Sequence, residues 1–126
     1  MKMDGWEDLR AFALSLGLPR VEDAVSWGNP NLKAHGKMWV WWAPQDYANA
    51  PAFKVEADEM EILLEAAPEV FFTTAHHKPY NIILMRPDRF DPEWARANLM
   101  RVWRKQAPKT FLKAFDAGRI SKAGYD

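Results

Sequence analysis

Apolar residues recur at helical spacing in three stretches of the chain. In the first stretch they repeat every three or four residues from Trp6 to Leu16. The last of the three stretches begins at Asp91-Pro92-Glu93. Asp is a common N-cap residue, and Pro is favoured at the first helical position. Glu in the first turn interacts favourably with the positive end of the helix dipole. A further helical turn is expected between Pro108 and Gly118. The predicted helices are residues 5–16, 58–67 and 92–107.

Shorter runs rich in Val, Ile, Phe, Trp and Thr predict β-strands between these helices. Gly28-Asn29-Pro30 is expected to form a turn, and Gly36-Lys37 has the length and the glycine of a hairpin connection. In the second arm of that hairpin, strict alternation places Trp39 and Trp41 on one face and Trp42 on the other. These rings are also a candidate stacking platform for nucleic-acid bases. The predicted strands are residues 21–27, 32–35, 38–43, 53–55, 70–74 and 80–85.

The order of these elements predicts the fold class. One helix precedes four strands, and a second helix, two strands and the C-terminal helices follow, so strands and helices do not alternate. Such an order favours an α+β fold, with an antiparallel sheet and N- and C-terminal helices packed on it. We expect residues 1–118 to form a single compact domain and residues 119–126 to form a polar tail. The helix residues expected to be buried are Leu9, Phe12, Leu99 and Val102.

Composition narrows the class of protein. Of the 126 residues, 48% are hydrophobic and 13% aromatic, which suits one folded core rather than a disordered chain. The absence of cysteine from the sequence excludes disulfides, thiol nucleophiles and Cys-ligated metal centres. No apolar stretch reaches the length of a membrane span, and the N-terminus lacks the apolar core of a signal peptide. We therefore expect a cytoplasmic protein with no membrane contact.

Charge is divided unevenly along the chain, although seventeen Lys and Arg balance seventeen Asp and Glu. Residues 101–126 hold seven basic residues against two acidic ones, a local charge of plus five. Residues 54–69 hold six acidic residues against Lys54, a local charge of minus five. The basic segment is a candidate for weak contacts to DNA phosphates, although cations near a helix C-terminus also suit the helix dipole. The candidate phosphate contacts are Arg101, Arg104, Lys105, Lys109 and Lys113.

His76-His77, with His35 as a third ligand, is the one combination of histidines that suggests a metal site. Adjacent residues on an extended segment point to opposite sides, however, so the two rings do not easily reach one ion. The sequence contains no glycine-rich phosphate loop, no HExxH motif and no nucleophile elbow. We therefore expect no catalytic residue, no metal and no cofactor, and hence a protein that is not an enzyme.

Three segments of the chain are similar to the motifs of one family of small bacterial proteins. They are Trp27-Gly28-Asn29-Pro30-Asn31-Leu32-Lys33 with Gly36-Lys37-Met38, Phe53-Lys54-Val55 before an acidic helix, and Phe71-Phe72-Thr73-Thr74-Ala75-His76 with Tyr80. Together with the flanking helices, over about residues 5–117, the chain resembles the MmcQ/YjbR family. It departs from the family pattern at Ala75, His77 and Lys78-Pro79.

The resemblance implies an α+β fold and a DNA-binding protein without established catalytic residues. The leading hypothesis is therefore a non-enzymatic protein that binds DNA weakly through phosphate contacts from its basic C-terminal region. The alternative is a small-molecule or peptide-binding module, because the family-like motifs concentrate polar and aromatic groups in loops and strand ends. A third hypothesis is a protein-interaction domain that docks its acidic helix on a basic partner. The alternative to a pocket is that Trp27 belongs to the core and Tyr80 packs at a sheet edge. The oligomeric state stays open, and the candidate pocket residues are Trp27, Asn29, Lys33, His76 and Tyr80.

Overall fold

An antiparallel sheet of six strands forms the centre of the protein, in a computed structural model that describes residues 1–120. The strands are β1 Val21–Ser26, β2 Asn29–Ala34, β3 Lys37–Ala43, β4 Ala50–Lys54, β5 Phe71–Phe72 and β6 Ile82–Met85. Their spatial order is β1-β2-β3-β4-β6-β5, and every neighbouring pair is antiparallel. The first four strands are thus a meander in chain order, and β6 inserts between β4 and β5.

Helices flank this sheet at both ends of the sequence. They are α1 Trp6–Leu14, α2 Ala57–Ala66, α3 Pro92–Gln106 and α4 Lys109–Asp116, with short 3₁₀ turns at Lys78–Tyr80 and Pro87–Arg89. The predicted α+β fold, with N- and C-terminal helices on an antiparallel sheet, is confirmed. None of the helices within residues 1–120 is long and apolar enough to cross a membrane. Of the predicted tail at 119–126, residues 121–126 lie outside the described part of the chain.

Two tight turns of the same kind join the first three strands. Trp27 and Gly28 connect β1 to β2 with φ values of 51° and 78°, and His35 and Gly36 connect β2 to β3 with 56° and 80°. Positive φ at both central residues is the signature of the type I′ turn, whose twist matches that of the flanking strands. The predicted turn at Gly28-Asn29-Pro30 is therefore shifted, because Pro30 pairs with a residue of β1 as part of β2.

A one-residue bulge in β3 determines which side chains face the helices. The pairing of β2 with β3 shifts between Leu32 and Lys33, which leaves Trp39 as the extra residue of β3. As a result Trp39 and Val40 are both fully buried in the helix-side core, whereas Trp41 packs in the cluster on the other face. The expectation that Trp39 and Trp41 share one face is wrong, because a bulge interrupts the two-residue period of a strand.

The main core lies between the sheet and helices α1 and α3. Leu9, Leu99 and Val102 are buried as predicted, and Phe12 is half-buried with its ring edge-on to another core phenylalanine. The indole N–H of Trp39 donates a 2.9 Å hydrogen bond to the carbonyl oxygen of Leu99. Burying these rings and aliphatic side chains is the main stabilising term, and the hydrogen bond fixes α3 against β3.

The opposite face of the sheet carries a smaller cluster made mostly of alanine. Ala43, Ala50 and Ala52 are fully buried there beside Leu84, and Trp41 packs partly against them. Because alanine side chains are short, they fill little volume above the strands. This face therefore has room for a cavity beside the packed cluster.

Truncation of a core side chain tests this packing. Leu99→Ala is expected to lower the free energy of unfolding by about 2–5 kcal/mol, because the site loses contacts and retains a cavity. The matched control is Ile62→Ala on α2, where the side chain is 63% exposed and the change should stay within about 0.5 kcal/mol. Urea unfolding of both variants measures the difference. Equal effects would mean that α3 presents another face to the sheet.

Candidate functional site

A cavity of about 720 Å³ opens beside the alanine cluster, on the sheet face opposite α1 and α3. The strands contribute Asn31 from β2, Trp41 from β3 and Ile82 from β6. The rest of the wall comes from other residues of β1, β2 and β3, from Trp27 in the turn between β1 and β2, and from the connections that precede β4 and β6. This volume falls within the range typical of small-molecule sites.

Aromatic side chains surround the mouth of the cavity. Trp27 is 90% exposed, Tyr80 73% and Tyr47 52%, although each of them lines the cavity. Tyr47 stacks on His76 with a centroid distance of 4.4 Å and an interplanar angle of 21°. The site thus presents flat ring surfaces to solvent rather than to the core.

The backbone of Trp27 is strained as well as exposed. Its φ of 51° lies in the left-handed region, which costs an L-residue roughly 1–2 kcal/mol and is rare for a bulky side chain. Asn or Gly is the usual residue at this position of a type I′ turn. The structure therefore contradicts the possibility that Trp27 is a core residue, since this ring projects from a strained hairpin tip.

A buried amide lies on the sheet side of the cavity. Asn31 is 1% exposed, and its Nδ2 donates a 3.1 Å hydrogen bond to Oγ of Ser26. Its Oδ1 is buried without a hydrogen-bond partner among residues 1–120. A buried polar atom without a partner costs about 1–3 kcal/mol. Both ring nitrogens of His35 are also buried without a partner among the described residues, but His35 does not line the cavity.

His77 is the buried member of the histidine pair. Its Nδ1 lies 2.7 Å from Oγ1 of Thr74, and its backbone N–H donates to the carbonyl oxygen of the same threonine at 3.1 Å. Burial, with a smaller contribution from His76, holds the pKa of His77 below its ordinary value. His77 is therefore a neutral, fixed wall of the cavity near pH 7.

His35 lies in a different environment from the other two histidines. Its ring packs against Trp103 and Phe111, with centroid distances of 4.9 Å to each. Burial, followed by the nearby cations Arg20 and Lys37, lowers the pKa of His35. Within residues 1–120 there is no group of three or more His, Cys, Asp or Glu side chains arranged to hold a metal ion. His35 is thus packed between the second hairpin turn and the C-terminal helices.

The structure brings four of the five candidate pocket residues together. Trp27, Asn29, His76 and Tyr80 all line the cavity. Lys33 does not line it: this residue is half-buried in β2 and pairs with residues of β1 and β3. Segments 27–29 and 76–80, which are far apart in sequence, therefore meet at one site.

Sequence reasoning missed the residues that give the cavity its depth. Asn31 follows Asn29 by two positions, which places both on one face of a strand, but the turn expected at Gly28-Asn29-Pro30 concealed that strand. The expectation that Trp41 shares a face with Trp39 is wrong because no signal in the sequence marks the bulge. Tyr47 belongs to a connection that looked like an ordinary surface loop, and only its stacking with His76 brings it to the site.

Two cations of the basic segment pair with carboxylates of the acidic segment. Lys105 forms an ion pair with Glu56, and Arg101 on the same helix lies 3.5 Å from Glu59 and 3.9 Å from Glu56. The hydrogen bond from Lys105 is the main reason that the pKa of Glu56 lies below its ordinary value. These two cations therefore face α2 and contribute little positive potential to the surface.

The other three candidate phosphate contacts divide into two kinds. Arg104 forms a bidentate pair with Asp116, with N–O distances of 2.9 and 2.8 Å. Lys109 and Lys113 are exposed on α4. The five residues thus do not form a single patch of free cations.

Fold and site together define a small α+β domain with an aromatic cavity on the open face of its sheet. The model of the YjbR family matches residues 16–105, more than two thirds of the chain, so the protein belongs to the YjbR family. The resemblance read from the three motifs is confirmed. The matched segment contains every residue that lines the cavity. No curated protein and no solved structure matches the chain.

The strain at Trp27 predicts an unusual stability effect. Trp27→Asn is expected to raise the free energy of unfolding by roughly 0.5–1 kcal/mol, because Asn adopts positive φ more readily and little packing is lost. The matched control is His35→Asn, at the same position of the next turn. Unlike Trp27→Asn, this change removes ring contacts, so it should lower the free energy of unfolding by about 1 kcal/mol. Urea unfolding compares the two variants. A similar decrease in the free energy of unfolding of both variants would mean that the Trp27 ring is packed.

The lowered pKa values of His77 and His35 predict how stability depends on pH. In the unfolded chain both rings take up protons near pH 6.5, as unperturbed histidines do, whereas in the folded protein burial resists protonation. The free energy of unfolding should therefore be maintained above about pH 6.5 and fall as the pH drops below it. Urea unfolding at several pH values measures this slope. His77→Gln should make the slope shallower, and an unchanged slope would contradict the burial of this ring.

Proposed function

We propose that this YjbR-family domain is a non-enzymatic binding protein that holds a small molecule in the aromatic cavity. The observation that carries the proposal is the state of Trp27, which is strained in its backbone and 90% exposed at the mouth of the cavity. Both properties reduce the stability of the free protein. A ligand that covers this ring would restore part of that stability, and binding would therefore be favoured at this site.

The aromatic mouth can supply substantial binding energy. A large aromatic side chain buries about 150–250 Å², and burial of apolar surface contributes roughly 25 cal/mol per Å². Covering Trp27 would thus contribute a gross term of about 4–6 kcal/mol before the entropy of association is subtracted. Tyr47 and Tyr80 add further exposed ring surface. Millimolar to micromolar affinity for a small aromatic molecule is within reach of such a site.

Weak binding to DNA phosphates is the second candidate function. The exposure of Lys109 and Lys113 on α4 favours it, whereas the ion pairs of the other three cations reduce the charge available. Two phosphate contacts give a slope of log K against log salt of about −1.8, compared with about −4.5 for five. Any such binding would be weak at physiological salt.

Protein-observed NMR with a library of uncharged aromatic fragments and short peptides tests the proposal. Fragments that shift the resonances of Tyr47, His76 and Tyr80 should lose roughly tenfold or more in affinity on Trp27→Asn, since central aromatic contacts dominate binding. The matched control is Ile62→Asn, an exposed apolar side chain on α2, which should leave affinity unchanged. The proposal fails if no fragment shifts these resonances or if Trp27→Asn has no effect.

A parallel titration with a labelled DNA duplex separates the two candidates. Duplex binding that survives Trp27→Asn but disappears in the double variant Lys109→Glu, Lys113→Glu would favour the phosphate contacts. Peptide hits without small-molecule hits would instead identify the cavity as a peptide site. Each result assigns the function to a different surface of the protein.

A further inference from the structure

The unpartnered oxygen of Asn31 specifies part of the ligand. The side chain stands on the cavity face of β2, next to Trp41 in the register of the sheet, and its Nδ2 is already bonded to Ser26. Its Oδ1 has no donor within the described chain. Because Asn31 is one of the residues that line the cavity, we expect a molecule bound there to supply the missing donor. An amide oxygen accepts an N–H or O–H group.

The lining of the cavity specifies the charge of the ligand. Among the described residues that form it there is no Asp, Glu, Lys or Arg. A charged molecule would lose its hydration there without gaining a counter-charge, which is strongly unfavourable. An uncharged molecule meets no such penalty.

The rings at the mouth specify the shape of the ligand. Tyr47 and His76 are already held nearly parallel at 4.4 Å, which is the geometry of stacked aromatic groups. Trp27 and Tyr80 offer two further ring faces that are mostly exposed. Flat molecules can contact such faces over a large area, whereas globular aliphatic molecules cannot.

We propose that the cavity takes an uncharged, planar aromatic or heteroaromatic molecule with an N–H or O–H group, and that this group donates a hydrogen bond to Oδ1 of Asn31. The inference rests on the proposed function and adds to it the class of ligand and the residue that selects it. Asn31 is a specificity-determining residue in this site, since the aromatic rings bind flat molecules with or without a donor.

Indole and 1-methylindole are matched probes for this hydrogen bond, because methylation removes only the N–H donor. NMR titration of the wild-type protein should give roughly tenfold tighter binding for indole, since a buried acceptor left without its donor is costly. The side-chain amide resonances of Asn31 should shift with indole and not with 1-methylindole. In Asn31→Leu the two probes should bind equally. Ile62→Asn on α2, which lies outside the cavity lining, should keep the preference for indole.

Charged analogues test the second part of the inference. Tryptamine, a cation, and indole-3-acetate, an anion, should each bind roughly tenfold more weakly than indole, because the cavity offers no counter-charge. Tighter binding of either one overturns the requirement for an uncharged ligand. The side-chain amide signals of Asn31 in the wild-type protein report on the hydrogen bond even if Asn31→Leu does not fold.

The outcomes separate this inference from the proposed function. If indole and 1-methylindole shift the cavity resonances with equal affinity, the role of Asn31 is refuted while the cavity remains a binding site. If none of these probes binds but other library fragments do, the proposed ligand class is refuted and the proposed function stands. If no probe or fragment shifts Tyr47, His76 or Tyr80, both proposals fail together.

Discussion

The bulge at Trp39 is the constraint on which the rest of the structure depends. One extra residue in β3 turns both Trp39 and Val40 toward the helices and sends Trp41 to the other face. The indole N–H of Trp39 then reaches the carbonyl oxygen of Leu99, which ties α3 to the middle of the sheet. The same shift leaves Trp41 beside Asn31 at the cavity. The packing of the core and the geometry of the cavity therefore both depend on this one bulge.

The two type I′ turns show how the same backbone feature can serve packing or recognition. Both turns place an aromatic residue before glycine with positive φ. The His35 ring packs against Trp103 and Phe111, although both of its nitrogens are buried without a hydrogen-bond partner among the described residues. The Trp27 ring has no comparable packing, because its side chain is 90% exposed. Strain that is not offset within the fold commonly marks a site where function requires it.

The arrangement of charge shows how cations that are clustered in the sequence become paired in three dimensions. Acidic and basic residues lie in separate parts of the sequence, but α2 and α3 bring them together at the surface. Lys105 pairs with Glu56 of the acidic segment, whereas Arg104 pairs with Asp116 of α4, which belongs to the basic segment itself. Exposed ion pairs contribute little to stability, yet they cancel much of the local field that would attract phosphates.

The sequence by itself determined the fold class, the approximate positions of the helices and four residues of the cavity, because these depend on local patterns. Hydrophobic periodicity marks a helix, and the family-like motifs mark Trp27, Asn29, His76 and Tyr80. Tertiary structure alone decided which face Trp41 takes, that Asn31 is buried without a partner for its oxygen, and which cations are paired. Those properties depend on strand register and on contacts between residues distant in the chain, which local patterns do not encode.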